Sequence, residues 1–283
     1  MAYALGLKPS GNFSRVGSTP TRGIIIIQMG TNLKKHVNQN FFKEWTSEMS
    51  YILGYITADG CVYKRKDRKN GYILNITSKD KKSLLKIGKR LSPDCCITRK
   101  YNSQRMLYYQ IQVRSKEIYN DLISLGIYPR KTYNLGPIKV PDKYFSDFVR
   151  GFFDGDGTVY IYKVNGTQQI KAAFVSVSLS FITHFNQHLC DRLNIVPKSI
   201  HEELTKGKKM VRYSICFYID DCEKLSEFMY GNNPSLYLPR KRQIFERWKS
   251  IKRRHYKKQK YPSKIGWQLN HKISADVVKS VYT

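Results

Sequence analysis

The most apolar stretches of the chain, residues 50–60 and 147–157, share one pattern of large and small side chains. In each stretch, a small residue is followed by a second small residue four positions later. Residues spaced by four lie on one face of an α-helix, and small side chains there let two backbones approach closely. The pattern predicts two helices that pair through four small residues: Gly54, Ala58, Gly151 and Gly155.

Each stretch ends in an Asp-Gly pair, so each predicted helix carries a carboxylate at its C-terminal end. Pairing of the helices would bring Asp59 and Asp156 together, and two converging carboxylates suit a hard divalent cation. The helix dipole disfavours an anion at a C-terminus, and a bound cation would explain why both aspartates are there. The alternative interpretation is an Asp-Gly turn that only ends each helix.

Hydrophobic periodicity predicts the same series of elements twice along the chain. The first copy consists of a helix at 47–58, strands within 60–77, a helix that Ser78 opens and Leu91 ends, a hairpin within 96–114, and a helix that Ser115 caps. The second copy consists of a helix from about 144, a hairpin around Asn165-Gly166, a helix at 178–193, strands at 198–204 and 211–219, and a helix at 221–230. The predicted fold class is α+β, with two pseudosymmetric αββαββα halves.

Shifts in composition and the repeat divide the chain into five predicted segments. They are a disordered N-terminal arm at 1–30, a first half at 31–132, a linker at 133–143, a second half at 144–250, and a basic C-terminal tail at 251–283. The arm is rich in Ser, Gly, Pro and Thr, and the linker carries two prolines and a glycine, which favour turns over regular structure.

The net charge of the chain indicates the class of partner that it binds. Fifty Lys and Arg residues against 21 Asp and Glu residues give a formal net charge of +29. Such a basic chain attracts polyanions, of which nucleic acid is the commonest. The 21 Tyr and 13 Phe residues suit an interface with sugars and bases, although many belong in a core. The alternative is a solvated basic surface without a partner.

Three absences bear on location. The six cysteines form no C-x-x-C pair, no secretory signal is recognised, and no apolar run approaches the roughly 18 residues of a membrane span. We therefore expect free thiols and an intracellular protein, in the cytoplasm, the nucleoid or an organelle, with no membrane partner.

The two apolar stretches resemble the LAGLIDADG motif of homing endonucleases. Residues 52–60 match it with Thr57 where the family often has an acid, and residues 149–157 match it with Asp154 at that position. The repeated elements extend the resemblance over about residues 47–250, and two motifs in one chain resemble the single-chain members, which act as pseudosymmetric monomers. Both Thr57 and Asp154 are expected to face away from the site as helix-end groups.

The resemblance implies a fold and a set of roles. Each half would contribute an antiparallel sheet, and the two sheets would form a saddle over the major groove of DNA. Asp59 and Asp156 would be catalytic and would bind Mg²⁺ (or Mn²⁺), with further ligands from the backbone carbonyls of Ala58 and Gly155. The resemblance also implies basic catalytic groups at Lys131 and Lys241, and water-organising hydroxyls at Ser78 and Ser176.

DNA sequence would be recognised by side chains on the outer face of the sheets. Strand alternation that starts from each catalytic aspartate, together with the polar faces of the other strands, selects the predicted DNA-binding residues. They are Tyr63, Arg65, Asn75, Gln110, Gln112, Arg114, Thr158, Tyr160, Tyr162, Gln169, Lys171, Arg212 and Ser214, with Cys61 on the same alternation. Arg can bind guanine, and Gln or Asn can bind adenine, in the major groove. The alternative for each is a solvent-facing strand residue.

The resemblance implies a site-specific homing endonuclease, encoded within an intron or a similar mobile element, that hydrolyses both strands of DNA. Its target would span roughly twenty base pairs, about two turns of the double helix. Two alternatives on the same fold remain open: an RNA maturase that assists intron splicing, with intron RNA as a partner, and a DNA-binding regulator that does not cleave.

Overall fold

Two paired helices, one from each half, run through the middle of the fold. The computed structural model describes residues 36–67, 71–204 and 211–259. The first half contains α1 (Ser47–Asp59), β1 (Gly60–Lys64), β2 (Tyr72–Ser78), α2 (Lys81–Leu91), β3 (Thr98–Tyr101), β4 (Leu107–Arg114) and α3 (Lys116–Ser124). A short helix α4 (Lys131–Asn134) precedes the second half, which contains α5 (Asp142–Asp156), β5 (Thr158–Val164), β6 (Thr167–Ser176), α6 (Leu179–Leu193), β7 (Ile200–Leu204), β8 (Val211–Tyr218), α7 (Ile219–Tyr230) and α8 (Pro239–Gln259).

Each half forms one four-stranded antiparallel sheet. The strand order is β1-β2-β4-β3 in the first half and β5-β6-β8-β7 in the second. The predicted α+β class with two αββαββα halves is therefore confirmed. The predicted arm at 1–30, residues 68–70 between β1 and β2, the connection 205–210 between β7 and β8, and most of the predicted tail lie outside the described residues.

Three helices begin where a hydroxyl side chain caps the first turn. Thr46 accepts a hydrogen bond from the backbone N–H of Met49, and Ser115 and Ser178 accept from the backbone N–H three residues later in the same way. These bonds satisfy backbone donors that a helix leaves open at its start. They explain why the predicted starts of α1, α3 and α6 agree with the structure.

The predicted start of α2 is wrong. Ser78 is the last residue of β2, where it pairs with Tyr109, and α2 begins at Lys81 after Asp80. The hydroxyl of Ser78 accepts hydrogen bonds from the hydroxyl of Tyr55 and from the backbone N–H of Asp80, so strand pairing and a tertiary contact hold it in the sheet. Helix α4 was not predicted; it begins after Arg130, whose backbone is left-handed (φ 56°).

Helix α1 is buried on all sides. Every residue from Met49 to Thr57 is inaccessible to solvent, which fits a helix that is apolar around most of its circumference. Its partner α5 packs along it, and a cluster of aromatic side chains around Phe152 and Phe174 fills the core beneath the second sheet.

The backbones of α1 and α5 approach each other at the small residues. A Cβ atom on Gly54 would overlap the carbonyl oxygen of Phe148, and one on Gly151 would overlap the carbonyl oxygen of Tyr51. A Cβ atom on Gly155 would overlap that of Ala58. Because backbone atoms cannot move aside as a flexible side chain can, this spacing requires glycine at Gly54 and Gly151.

In the part of the chain that the structure describes, none of the helices combines the length and the apolar character that crossing a lipid bilayer requires. None of the six cysteines, all within the described ranges, forms a disulfide.

Candidate active site

Asp59 and Asp156 are the last residues of the two central helices, and the close packing of α1 against α5 brings them together. Asp59 is half-buried, whereas Asp156 is exposed. Burial, together with the neighbouring charge of Asp156, raises the pKa of Asp59 to about 7, although Lys241 and Lys131 act in the opposite direction. The packed protein atoms around Asp156 also raise the pKa of its carboxyl, against the effect of both lysines.

Lys131 and Lys241 lie beside these carboxylates, and both are buried (8% and 4% exposed). The Nζ atom of Lys131 donates to the carbonyl oxygens of Thr57 (2.5 Å) and Ala58 (3.0 Å) at the end of α1. The Nζ atom of Lys241 donates to the carbonyl oxygens of Phe153, Asp154 and Gly157 at the end of α5. Each lysine therefore binds backbone carbonyl oxygens at the C-terminal end of one central helix, a role that the sequence did not indicate.

Burial lowers the pKa of both lysines, to about 8 for Lys241, because it penalises the ammonium form. Asp156 and Asp59 counter this effect at Lys131, and Asp154 does so most strongly at Lys241. The two carboxyl groups and the two ammonium groups thus lie close enough to affect one another's pKa.

The donor set fits a hard divalent cation. Among the described residues, no cluster of three or more His, Cys, Asp or Glu side chains forms, so the acidic ligands at this site would be Asp59 and Asp156 alone. Mg²⁺ is commonly held by one or two carboxylates, with water and substrate phosphates completing its shell. The Ala58 carbonyl oxygen, a further predicted ligand, already accepts the hydrogen bond from Lys131.

Thr57 and Asp154, which were expected to face away from the site as helix-end groups, are both buried. Asp154 is 1% exposed, and its Oδ2 atom accepts from the hydroxyl of Tyr51 (2.9 Å) and from the backbone N–H of Leu238 (2.7 Å). Thr57 donates to the carbonyl oxygen of Leu53 within its own helix. Asp154 thus ties α5 both to α1 and to the segment that leads into α8.

The predicted DNA-binding residues lie on the sheet faces opposite the helices. The helix-facing side of the first sheet is marked by buried Leu74, Ile76, Ile111 and Val113. The alternate positions therefore face the other way, and the equivalent alternation holds in the second sheet. The residues placed on these outer faces are Tyr63, Asn75, Gln110, Gln112, Arg114, Thr158, Tyr160, Tyr162, Gln169, Lys171, Arg212 and Ser214.

Several of these polar side chains are already paired with one another. Gln110 donates to the side-chain oxygen of Asn75 (2.6 Å), and Tyr162 donates to Gln169 (3.1 Å). Arg65 follows the end of β1 and forms an ion pair with Asp67. The first two pairs hold the amide groups in defined positions on the outer faces.

Sequence reasoning missed the outer-face residues of the edge strands. Lys100 on β3 lies opposite Tyr108, and Glu203 on β7 lies opposite Arg212, with which it forms an ion pair (2.8 Å). The register of each hairpin is the signal that places them, because directly opposed residues share a face.

The two predicted water-organising serines have different surroundings. Ser78 is buried and accepts from Tyr55, whereas Ser176 lines a cavity of about 360 Å³ together with Asp156, Lys131 and Arg212. The two halves are therefore alike in backbone and unequal in the side chains around each aspartate.

A family model described as a LAGLIDADG-like domain matches residues 46–122 and 146–227. Two uncharacterized proteins of Methanocaldococcus jannaschii are also similar to this chain. One is 30% identical over 187 residues, which cover 63% of this chain and 60% of that protein. The other is 27% identical over 151 residues, which cover 48% of this chain and 54% of that protein. The chain thus spans less than two thirds of the length of these curated relatives.

Solved structures similar to this protein include the homing endonuclease I-WcaI bound to its DNA recognition sequence, at 17% identity and a TM-score of 0.46, covering 77% of this chain and 95% of that one. Full-length DUF199/WhiA from Thermatoga maritima is 14% identical with a TM-score of 0.47, and the match covers 86% of this chain and 72% of that one. I-DmoI in complex with DNA and Mn is 16% identical with a TM-score of 0.41, and the match covers 60% of this chain and 89% of that one.

Proposed function

Because the chain belongs to the LAGLIDADG homing endonuclease family, with a LAGLIDADG-like domain in each half, we propose that it is a site-specific endonuclease that makes a double-strand break in DNA. One observation carries the proposal: the two central helices end in Asp59 and Asp156, which lie together between two buried lysines. We propose Mg²⁺ (or Mn²⁺) as the cofactor, held by these two carboxylates.

The residues of the chain have distinct tasks in this proposal. Asp59 and Asp156 hold the cation, which when bound supplies electrostatic stabilisation for the charge that develops on the phosphate oxygens. Lys131 and Lys241 hold the helix ends in place and add positive charge beside the reacting phosphates. In this proposal, one aspartate and one lysine from each half take part in cutting one of the two DNA strands.

DNA binding is assigned to the outer faces of the two sheets. Their strands carry amide, hydroxyl and guanidinium groups, which can bind base edges in the major groove. The net charge of +29 favours a polyanionic partner, and two sheets in one chain let a monomer bind a target of roughly twenty base pairs. We further propose that the protein is encoded within an intron or a similar mobile element, whose insertion site is the target.

The test uses DNA that spans the insertion site of the element, rejoined without it. The protein with Mg²⁺ should cut both strands, and Asp59→Asn or Asp156→Asn should lower the rate by at least about 100-fold. The control is Asp142→Asn, because Asp142 is an exposed acid at the start of α5 that pairs with His188 and Arg192. Unchanged cutting by both active-site variants would refute the roles given to these carboxylates.

A thermal measurement checks the cation independently of cleavage. Mg²⁺ should raise the melting temperature of the native protein and of Asp142→Asn, because a ligand that binds only the folded state stabilises it. Asp59→Asn should not respond. If DNA binds without cutting, the regulator becomes the better interpretation, and tight binding of intron RNA without DNA cutting would favour the maturase.

A further inference from the structure

Helix α8 begins beside the candidate active site and continues past the hydrophobic core. Its buried face consists of residues at helical spacing: Lys241, Phe245, Trp248 and Ile251. The next positions on that face are His255 and Lys258, so the apolar stripe ends at Ile251. Residues 252–259 continue the helix for about two turns, or about 12 Å. These last two turns have no apolar stripe with which to pack against the core.

The cations in the first part of α8 are engaged within the fold. Lys241 binds the carbonyl oxygens at the end of α5, and ion pairs join Arg240 to Asp80, Arg242 to Glu246 and Lys249 to Glu227. The last two turns carry five further cations, which we call the distal cations: Lys252, Arg253, Arg254, Lys257 and Lys258. No Asp or Glu follows Glu246 in the chain until Asp276, so no acid of these two turns offsets their charge.

The distal cations destabilise the helix that carries them. Arg253 and Lys257 are four residues apart, as are Arg254 and Lys258, and like charges at this spacing repel each other on a helix. A short helical segment without an apolar face also gains little from packing. A row of anionic groups would relieve the repulsion along the whole segment. Charge complementarity therefore favours a polyanion as the partner of these two turns.

The position of α8 favours duplex DNA as that polyanion. The helix packs against β5, which is an outer strand of the second sheet, so α8 lies at an edge of the sheet to which we assign DNA binding. Along the helix axis, the distal turns lie about 17 to 27 Å from Lys241, a distance that corresponds to about five to eight base pairs of duplex. The helix is therefore long enough to follow DNA from the site towards one end of a target.

The first half has no equivalent of these turns. Lys131, which corresponds to Lys241, begins α4, and α4 ends at Asn134 after a single turn. From there the chain continues into the segment that leads to α5. Any contact that the distal cations make is therefore confined to one side of the DNA.

We infer that the last two turns of α8 bind the sugar-phosphate backbone of duplex DNA on one side of the target, more than about five base pairs from its centre. The contact is independent of base sequence, because Lys and Arg on backbone phosphates position a protein without identifying bases. The inference rests on the proposed function. It adds a surface outside the two sheets and makes the footprint of a pseudosymmetric protein asymmetric.

The test measures binding without divalent cations, so that cleavage plays no part. The probe is a duplex of about 40 base pairs, twice the length of the proposed target, whose centre the native protein selects from a random library. In one copy, the phosphates more than about five base pairs from the centre on one side are replaced by neutral methylphosphonates, and in a second copy those on the other side are replaced. Native protein should bind one copy about tenfold more weakly than the other, because only one side faces the distal cations.

A variant in which all five distal cations are replaced by Gln should bind the two copies equally. Its affinity for the unmodified duplex should also depend less steeply on salt, with a slope lower by about 2.7 if three phosphate contacts are lost. The matched control loses the same amount of charge from five exposed lysines outside the sheets: Lys82, Lys86, Lys89, Lys116 and Lys139. It should keep the tenfold difference between the two copies.

Equal binding of the two copies by native protein would refute the inference and leave the endonuclease proposal intact. A difference between the copies that the Gln variant retains would refute it as well. If the variant retains that difference and loses affinity only for single-stranded RNA of the same length, the partner of these turns is RNA, and the inference is wrong. If native protein selects no duplex at all, the proposed function fails, and the inference fails with it.

Discussion

Tyr51 and Phe148 occupy equivalent positions on the two central helices and differ by one hydroxyl group. The hydroxyl of Tyr51 donates to the buried carboxylate of Asp154 on the facing helix. Phe148 has no such donor, and the residue equivalent to Asp154 is Thr57, which bonds within its own helix. The second motif has an acid, Asp154, where the first has Thr57, and only Asp154 receives a hydrogen bond from a tyrosine on the facing helix.

At this scale we predict that Tyr51→Phe lowers the free energy of unfolding by about 1–3 kcal/mol, because it leaves a buried carboxylate short of a donor. Urea unfolding measures the change. Tyr101→Phe is the control, since Tyr101 is 60% exposed and its hydroxyl should contribute little. A loss within about 0.5 kcal/mol of the control would show that the cross-helix hydrogen bond does not stabilise the pair.

At the scale of elements, the spacing of α1 and α5 determines how close Asp59 and Asp156 can come. The carbonyl oxygens of Tyr51 and Phe148 occupy the space that a side chain on Gly151 or Gly54 would need. Any larger residue must push the helices apart, and that displacement reaches the carboxylates at their ends. Stability and the geometry of the site therefore depend on the same contacts.

We predict that Gly151→Ala destabilises the protein by roughly 1–3 kcal/mol and that Gly151→Val abolishes cutting. Gly136→Ala is the matched control, because a Cβ atom on Gly136 meets nothing within 4 Å. It should be neutral or slightly stabilising. Thermal unfolding and a cleavage assay on the same preparations test this, and native cutting by a folded Gly151→Val protein would contradict it.

Local signals were sufficient for most elements and insufficient for the connections between them. The caps at Thr46, Ser115 and Ser178 act over three residues, so the sequence around them predicts the helix starts. Ser78 looks like another cap, yet strand pairing with Tyr109 holds it in β2. Pairing of this kind depends on residues that are distant in sequence, and periodicity does not reveal it.

At the candidate site, local signals predict some residues, whereas others depend on contacts between distant parts of the chain. The positions of Asp59 and Asp156 follow from two apolar repeats, because each aspartate ends a helix. The bonds that Lys131 and Lys241 make span 73 to 88 residues, and the bond from Leu238 to Asp154 spans 84. Only a packed tertiary structure brings such partners together, so the capping role of the lysines and the burial of Asp154 could not be predicted.

At the scale of the whole molecule, the two halves share one hydrophobic core. Nine consecutive residues of α1 are buried, largely against α5 of the other half. A homodimer of the second half would place Asp154 opposite Phe148, which cannot donate a hydrogen bond. Each of the two buried carboxylates would then lack one of its hydrogen-bond donors, which disfavours that arrangement.

We therefore predict that fragments 36–141 and 142–259, expressed separately, are unfolded or aggregate, because each exposes its central helix. Co-expression should restore a soluble one-to-one complex with native circular dichroism. Sedimentation and circular dichroism measure both outcomes. A folded, monomeric 36–141 fragment would show that the halves are independent domains.

The bonds that Lys241 makes to the end of α5 have a consequence for synthesis. A chain leaves the ribosome N-terminus first, and its early segments fold before the late ones exist. The carbonyl oxygens of Phe153, Asp154 and Gly157 accept hydrogen bonds from the ammonium group of Lys241. These bonds can form only after residue 241 has been synthesised. A nascent or prematurely terminated chain that stops before α8 therefore has both aspartates but only one of the two lysines. If the proposed cleavage needs both lysines, it becomes possible only once translation has passed α8.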